Sequence, residues 1–444
     1  MVGDLAEWLA GRRAACRLSL RPIPWGESTS WRFRCGRLEH VSGGFFSVVG
    51  IRTTAGASVF HDICQPIIDQ PEVGILGFIV RPTAAGWEWL VQAKAEPGNV
   101  GEVQLAPSVQ ATLSNYTRVH GGAATPYIDR FIAPGRSDTV VRDSLQSEHG
   151  NRFLGKYNSN VTVLSGDGGP TPCSADWRWV AAAELRAMLA MDFAVNTDAR
   201  SVLFCSDWKL LAEGAPFARW RGGCDWRAGL PGSFEAAAED DETDVLEWLD
   251  GERRGIVLDV QTVELESLPS WEITGDGIVR RADGRSRIGA YAVEANSREV
   301  GFWDQPFYLG DREEEVVQLC QQRDGVLRFL MRASIEAGFR ERVQVGPSWQ
   351  SDDLASGEPP ALVIAELIRR GQERMATMQS DEGGRFFRSV CRYRIVELPP
   401  DCEFPGLTQS HVWLTLGQIW RLSNIQGVFT NEARSAFSML LADV

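Results

Sequence analysis

The densest run of residues able to do chemistry is QAKAEPGNVGEVQLAPSVQATLSNYTRVHGG, residues 92–122. It interleaves Lys94, Glu96, Asn99, Gln104, Gln110, Asn115, Tyr116, Arg118 and His120 with strand-type apolar residues. A second group lies in QSEHGNRFLGKYNSN, residues 146–160, with Gln146, Glu148, His149, Arg152 and Lys156. Carboxyls, an imidazole and a phenol can move protons, and lysines and arginines among them can neutralise an anionic ligand. Several competing chemistries lack their signatures. Gly150 to Lys156 spells G-x-x-x-x-G-K, but Tyr157 follows where a phosphate-binding loop carries Ser or Thr. The five histidines (40, 61, 120, 149 and 411) show no metal-ligand spacing. No GxGxxG nucleotide fingerprint follows a strand.

The chain also repeats itself. LAEWLAGRR (5–13) returns as VLEWLDGER (245–253), placing Trp8 over Trp248. The same offset lays Trp31 on Trp271, Gln65-Pro66 on Gln305-Pro306, Glu96 on Glu336, Gly98 on Gly338, and VQLAPSVQ (103–110) on VQVGPSWQ (343–350). After a gap, QSEHGNRF (146–153) matches QSDEGGRF (379–386), and NTDARSVL (196–203) matches TNEARSAF (430–437). Residues shared by both copies are expected to be architecture, and function is expected where the copies differ. The 35 residues of 111–145 become an unrelated 28 in 351–378. That difference points to Asn115, Tyr116, Arg118 and His120 as carriers of chemistry.

The elements that must position these groups follow from hydrophobic spacing. Leu5, Trp8, Leu9 and Arg12 fit one amphipathic helix. FFSVVGI (45–51), ILGFIV (75–80), WEWLVQA (87–93) and EVQLA (102–106) read as strands bounded by Gly, Pro and Asn. WVAAAELRAMLAMDF (179–193) has helical spacing, and Thr197 or Asp198 is expected to cap a further helix through Leu203. The second copy closes similarly with HVWLTLGQIWRLSN (411–424) and then Thr430 to Phe437. With 444 residues, 44% hydrophobic and 23% charged, the chain has the composition of a soluble protein of two or three domains. The repeat favours two, 1–235 and 236–444, divided at the acidic stretch Glu235 to Asp244. A net charge of −14 argues against a duplex nucleic-acid partner but leaves room for a small anion held by a few buried cations. Nine cysteines without a CxxC pair, no signal-peptide pattern and no long apolar run suggest a reduced cytoplasmic chain with no membrane span.

The strings LEHVSGGFFSVVGI, QPIIDQPEVGILGF, QAKAEPGNVGEVQLAPSVQATLSNYTRVHGG and QSEHGNRFLGK in the first half resemble the NDP-hexose 2,3-dehydratases of deoxysugar biosynthesis. QSDEGGRFFRSVCRYRIVEL and TNEARSAFS carry the resemblance in the second half. It implies an α+β fold built by duplicating a Nudix-like αβα module, a homodimer, and a dTDP-linked 4-keto-6-deoxyhexose substrate. It further implies one working pocket, in the first module, and one remnant. The glutamate-rich box with which Nudix enzymes hold metal is absent from both halves.

In the implied reaction, the ketone at C-4 acidifies the C-3 proton, and the enolate expels the C-2 hydroxyl. No redox cofactor or metal is required. His120 or Tyr116 would be the base, and Glu96 or Glu148 would protonate the leaving hydroxyl. Lys94 or Asn115 would hold the C-4 oxyanion. Arg118 and Lys156 would neutralise the diphosphate, with Gln110, Gln146 and Arg152 completing the substrate site. A 3-ketoreductase would consume the unstable diketo product. Architectural readings stand beside these: Glu96 has Glu336 as its counterpart, and Arg152 has Arg385. The chain departs from the family pattern where Lys156-Tyr157-Asn158-Ser159-Asn160 replaces a more basic run and where Leu113 replaces an Arg. A nucleotide-sugar binding protein without catalysis is the alternative reading.

Overall fold

The computed structural model describes residues 2–55, 63–117, 124–236, 242–284, 287–296, 300–310, 313–351, 359–403 and 410–444. The fold is α+β, with four sheets and helices packed between and around them. The amphipathic stripe of Leu5 and Leu9 forms the helix Val2–Ala15, and its counterpart is Glu242–Gly255. The apolar runs form Ser47–Ala55, Gly74–Thr83, Gly86–Ala95 and Val103–Ala106, as their alternation and flanking turn residues predict.

Two seven-stranded sheets have the same order. In the first, Gly74–Thr83 lies parallel to Tyr157–Ser165 and antiparallel to Gly86–Ala95; Asp138–Ser147 and Trp177–Ala181 flank them. In the second, Glu314–Arg323 lies parallel to Val390–Glu397 and antiparallel to Val326–Ile335, flanked by Gln372–Ser380 and His411–Leu414.

Two local expectations change. The segment 179–193 is not one helix: Trp177–Ala181 is a strand, and the helix is Ala182–Leu189. The indoles of Trp177 and Trp179 donate to the carbonyls of Ser108 and Pro170 at 3.0 Å, anchoring the strand beside Gly86–Ala95. Tertiary pairing outweighs helical spacing there. The helix Thr197–Cys205 is capped by Asn196, whose side chain accepts from Ala199 N at 2.9 Å, and not by Thr197 or Asp198. Thr430 caps Asn431–Ser438 in the same manner, accepting from Ala433 N at 3.1 Å.

The halves exchange elements. Strand Leu18–Ile23 pairs with Arg287–Ala295 of the second half, and Leu258–Val263 pairs with Ser47–Ala55 of the first. The Trp31 indole donates to Asp304 O at 2.8 Å, and that of Trp271 to Cys64 O at 3.1 Å. Gly98 N donates to Gly383 O at 2.8 Å while Gly338 N donates to Gly150 O at 2.7 Å. Both glycines are steric necessities. A Cβ on Gly98 would overlap the carbonyl oxygen of Phe386, and one on Gly338 that of Phe153.

One apolar core runs through both halves, from Leu5 and Phe78 to Phe329 and Val444. At its centre the helices Thr197–Cys205 and Asn431–Ser438 lie together. The Arg200 guanidinium donates to Ser438 Oγ at 3.1 Å, and Arg434 to Ser201 Oγ at 2.8 Å. These fully buried cations are tolerated because their donors meet backbone and hydroxyl acceptors.

The reciprocal crossing gives a direct test. Gly98→Ala and Gly338→Ala should each destabilise the whole chain by about 1–3 kcal/mol. Thermal unfolding should remain a single transition, because the halves share one core.

Candidate functional site

A cleft with a volume of about 90 Å³ opens at one end of the central strands of the first seven-stranded sheet. Gly74 and Leu76 come from one central strand, Asn158 from its parallel neighbour, and Lys94 from the antiparallel one. Glu96 follows that strand's end. Gln110 lies on the short strand Val109–Ala111, and Asp198 on the first turn of Thr197–Cys205. The crossing loop of the second half supplies Glu382, Gly384 and Arg385. The cleft is thus built by both halves.

Its polar groups divide into committed and uncommitted. Glu96 is tied down on both oxygens, by Gln110 Nε2 at 2.7 Å, Asn99 Nδ2 at 3.1 Å and Asn196 Nδ2 at 3.4 Å. Glu148 accepts from Asn158 Nδ2 at 2.7 Å and from Asn431 Nδ2 at 3.2 Å. Asn158 is itself fixed, accepting from Gly74 N at 3.0 Å. Lys156 donates to Glu72 O, and Arg385 to Gln70 Oε1 at 3.3 Å. No side-chain hydrogen bond engages Asp198 or Glu382 among the described residues.

Crowded charge in a half-dry site moves proton affinities. Burial raises Asp198 well above the carboxylate range, with Glu148, Glu96 and Glu382 adding to it. Burial likewise pushes Glu382 up to about 8; Arg385 opposes the shift, and Glu148 and Glu96 reinforce it. Burial lowers Lys156, and Glu148 offsets only part of that. The cleft therefore offers two acids able to hold a proton near neutral pH among cations suited to an anionic ligand.

Six of the residues singled out in the sequence meet here: Lys94, Glu96, Gln110, Asn115, Glu148 and Lys156. Three do not line the cleft. Tyr116 packs beside Tyr127, Ile128 and Phe131, and burial with Glu72 raises its phenol, which counts against its use as a base. Gln146 donates to Ser144 Oγ and Ser423 O, at 3.0 and 3.3 Å. Arg152 pairs with Glu314 and lies 5.2 Å over the Phe386 ring. Arg118 and His120 lie outside the described residues.

The family model for NDP-hexose 2,3-dehydratase matches residues 2–206 and 242–440 of this sequence. The chain belongs to the NDP-hexose 2,3-dehydratase family. Among its relatives is the dTDP-4-dehydro-6-deoxy-alpha-D-glucopyranose 2,3-dehydratase of Streptomyces violaceoruber. It is 34% identical over 439 residues, 96% of this chain and 94% of the relative. Proteins of the same name from Saccharopolyspora spinosa and Amycolatopsis orientalis are 32% and 30% identical, over 98% and 99% of this chain and 90% of each relative.

In this family member the related positions of the second half carry different groups. Ser334, Ser389 and Cys391 stand where the cleft has Lys94, Lys156 and Asn158, and His149 and Glu432 stand where it has Glu382 and Asp198. His149 Nδ1 meets Glu432 Oε1 at 2.6 Å in a buried ion pair. Ser389 donates to Asp381, the counterpart of Glu148, at 2.6 Å. Asp198 and Glu382 were absent from the sequence-level site. A position-by-position comparison of the two aligned strings, and not the length difference at 111–145, is the signal that marks them.

Burial opposes charge on both members of the His149–Glu432 pair, but mutual attraction prevails. It raises the imidazole from 6.5 to about 10 and lowers the carboxyl from 4.5 to about 2. The raised imidazole stabilises the fold fully below pH 6.5 and loses that effect through pH 10. The lowered carboxyl does so fully above pH 4.5 and loses it through pH 2. His149→Ala should therefore cost about 3–5 kcal/mol near pH 5.5, because it strands a buried carboxylate. Denaturant melts across pH should show that difference shrinking towards pH 10.

Proposed function

We propose that this chain is a hydro-lyase that removes the C-2 hydroxyl of a dTDP-linked 4-keto-6-deoxyhexose, giving the 3,4-diketo-2,6-dideoxy sugar. The observation that carries this reading is the near full-length similarity to three proteins of that name, combined with a cleft that holds cations and proton-holding carboxyls together. Base abstraction at C-3 gives the C-4 enolate, and expulsion of the C-2 hydroxyl restores the ketone and leaves an enol at C-3. Tautomerisation places a proton on C-2.

Lys94, a buried residue of the cleft lining, suits the C-4 oxyanion, with the exposed Asn115 also on the lining. Lys156 and Arg385 suit the diphosphate, with Arg118 as a further cation. His120 is the proposed base. The leaving hydroxide takes its proton from a cleft carboxyl. General acid–base help of this type is worth about 10²–10⁴-fold per group.

We further read the chain as two Nudix-like modules, 1–235 and 236–444, from an internal duplication. The matching sheet orders and the equivalent contacts made by Trp31 and Trp271, and by Gly98 and Gly338, support this. The second module's pocket is a remnant in this reading, since serines stand where the first cleft has Lys94 and Lys156. A homodimer acting in the cytoplasm, with its product passed to a 3-ketoreductase, completes the proposal. No helix among the described residues is long and apolar enough to cross a membrane.

Incubation with dTDP-4-keto-6-deoxyglucose in deuterated buffer, followed by reductive trapping and mass spectrometry, tests the reading. Loss of one water with deuterium gained at C-2 is the expected result, and unchanged substrate despite dTDP-sugar binding would point to a binding protein. His120→Ala should lower turnover about 10²-fold or more with the melting temperature unchanged. Full activity in that variant would remove it as the base.

A further inference from the structure

The reaction needs a donor for the departing hydroxide, and the cleft holds four carboxyls. Two are tied up: Glu96 accepts from three amides and Glu148 from two, each on both oxygens. The related pocket of the second half shows how the other two face one another. There His149 occupies the place of Glu382 and Glu432 that of Asp198, and the two side chains touch at 2.6 Å. The backbone around Glu382 repeats the backbone around His149. Phe386 N donates to Glu382 O at 2.9 Å as Phe153 N donates to His149 O at 2.8 Å. The following glycines, Gly383 and Gly150, accept from Gly98 and Gly338. The crossing thus brings a second-half carboxyl into the cleft that Asp198 also lines, at the position whose counterpart in the related pair meets Glu432.

We propose that Glu382, carried into the cleft by the second half, is the general acid of this reaction, with Asp198 as its facing partner. This rests on the dehydratase reading above. As the C-3 proton goes to the base, its electron pair moves through the C-4 enolate and returns to form the C-2=C-3 bond. The C-2–O bond breaks with its electrons on oxygen, and that oxygen takes the Glu382 proton to leave as water. The resulting carboxylate recovers a proton from solvent. Two carboxyls in one partly dry site resist double ionisation, so one proton stays on the pair. The raised proton affinities of both groups agree with this. The second half, whose related pair is an ion pair, is then a contributor of catalytic chemistry to the first.

The test separates C–H cleavage from hydroxide departure. Glu382→Gln keeps size and shape, and its melting curve should match that of the wild type. With dTDP-4-keto-6-deoxyglucose in deuterated buffer, water loss should fall at least about 10²-fold, while deuterium exchange at C-3 continues. Replacing the C-2 hydroxyl with fluorine supplies a leaving group that departs without protonation. Fluoride release by Glu382→Gln should approach the wild-type rate, and Asp198→Asn should show the same pattern in weaker form. Unchanged water loss in Glu382→Gln, or loss of C-3 exchange and fluoride release together, would overturn the assignment. Wild-type protein that neither exchanges C-3 nor loses water would overturn the dehydratase reading itself, and this proposal with it.

Discussion

Everything in this chain depends on the mutual backbone crossing of its two halves. At Gly98 and Gly338 the main chain of one half lies so close to the loop of the other that no side chain fits between them. Paired backbone hydrogen bonds hold each crossing, with Arg388 N donating to Gly98 O at 2.8 Å and Gly155 N to Gly338 O at 2.7 Å. Buried backbone groups must find partners, and here each half supplies those of the other. The exchange of strands Leu18–Ile23 and Leu258–Val263 belongs to the same arrangement. The consequence for function is direct: the loop that makes the crossing also delivers Glu382 and Arg385 to the cleft.

Charge placement follows from that architecture. Carboxyls from two halves converge with Lys94 and Lys156 in a space that water only partly reaches, so burial dominates their proton affinities. In the second half the same scaffold reaches a different electrostatic end. A histidine replaces a glutamate, the pair becomes oppositely charged, and the side chains close on each other. The exchange of glutamate for histidine at this crossing, together with serines in place of Lys94 and Lys156, puts an ion pair where the first cleft has two carboxyls. The scaffold itself is held in common: Arg13 and Arg253 each bind the equivalent backbone carbonyl, Val103 O at 2.9 Å and Val343 O at 3.1 Å.

Much was legible in the sequence. Alternating apolar runs between turn residues became strands, and the Leu5–Leu9 stripe became a helix, because these are local consequences of period and burial. The rule that shared residues are architecture holds for Trp31 and Trp271, for Gly98 and Gly338, and for Arg200 and Arg434, all of which bridge the halves. Lys94, Glu96, Gln110, Asn115, Glu148 and Lys156 converge because the ends of neighbouring strands and the short segments joined to them meet at one end of the sheet.

What the sequence alone determined, then, was the repeat of its strings, the strand and helix content and the part of the site contributed by the first half's own elements. Tertiary structure decided the rest: that the strand after each N-terminal helix joins the other half's sheet, that Trp177–Ala181 leaves a helical pattern to pair at an edge, and that Glu382 and Asp198 line the same cleft. Those facts depend on contacts between residues as far apart in the chain as Leu18 and Ala295 or Gly98 and Gly383, where no local period carries information. Only the close approach at two glycines, which brings the distant backbones together, makes the second half a part of the first half's cleft.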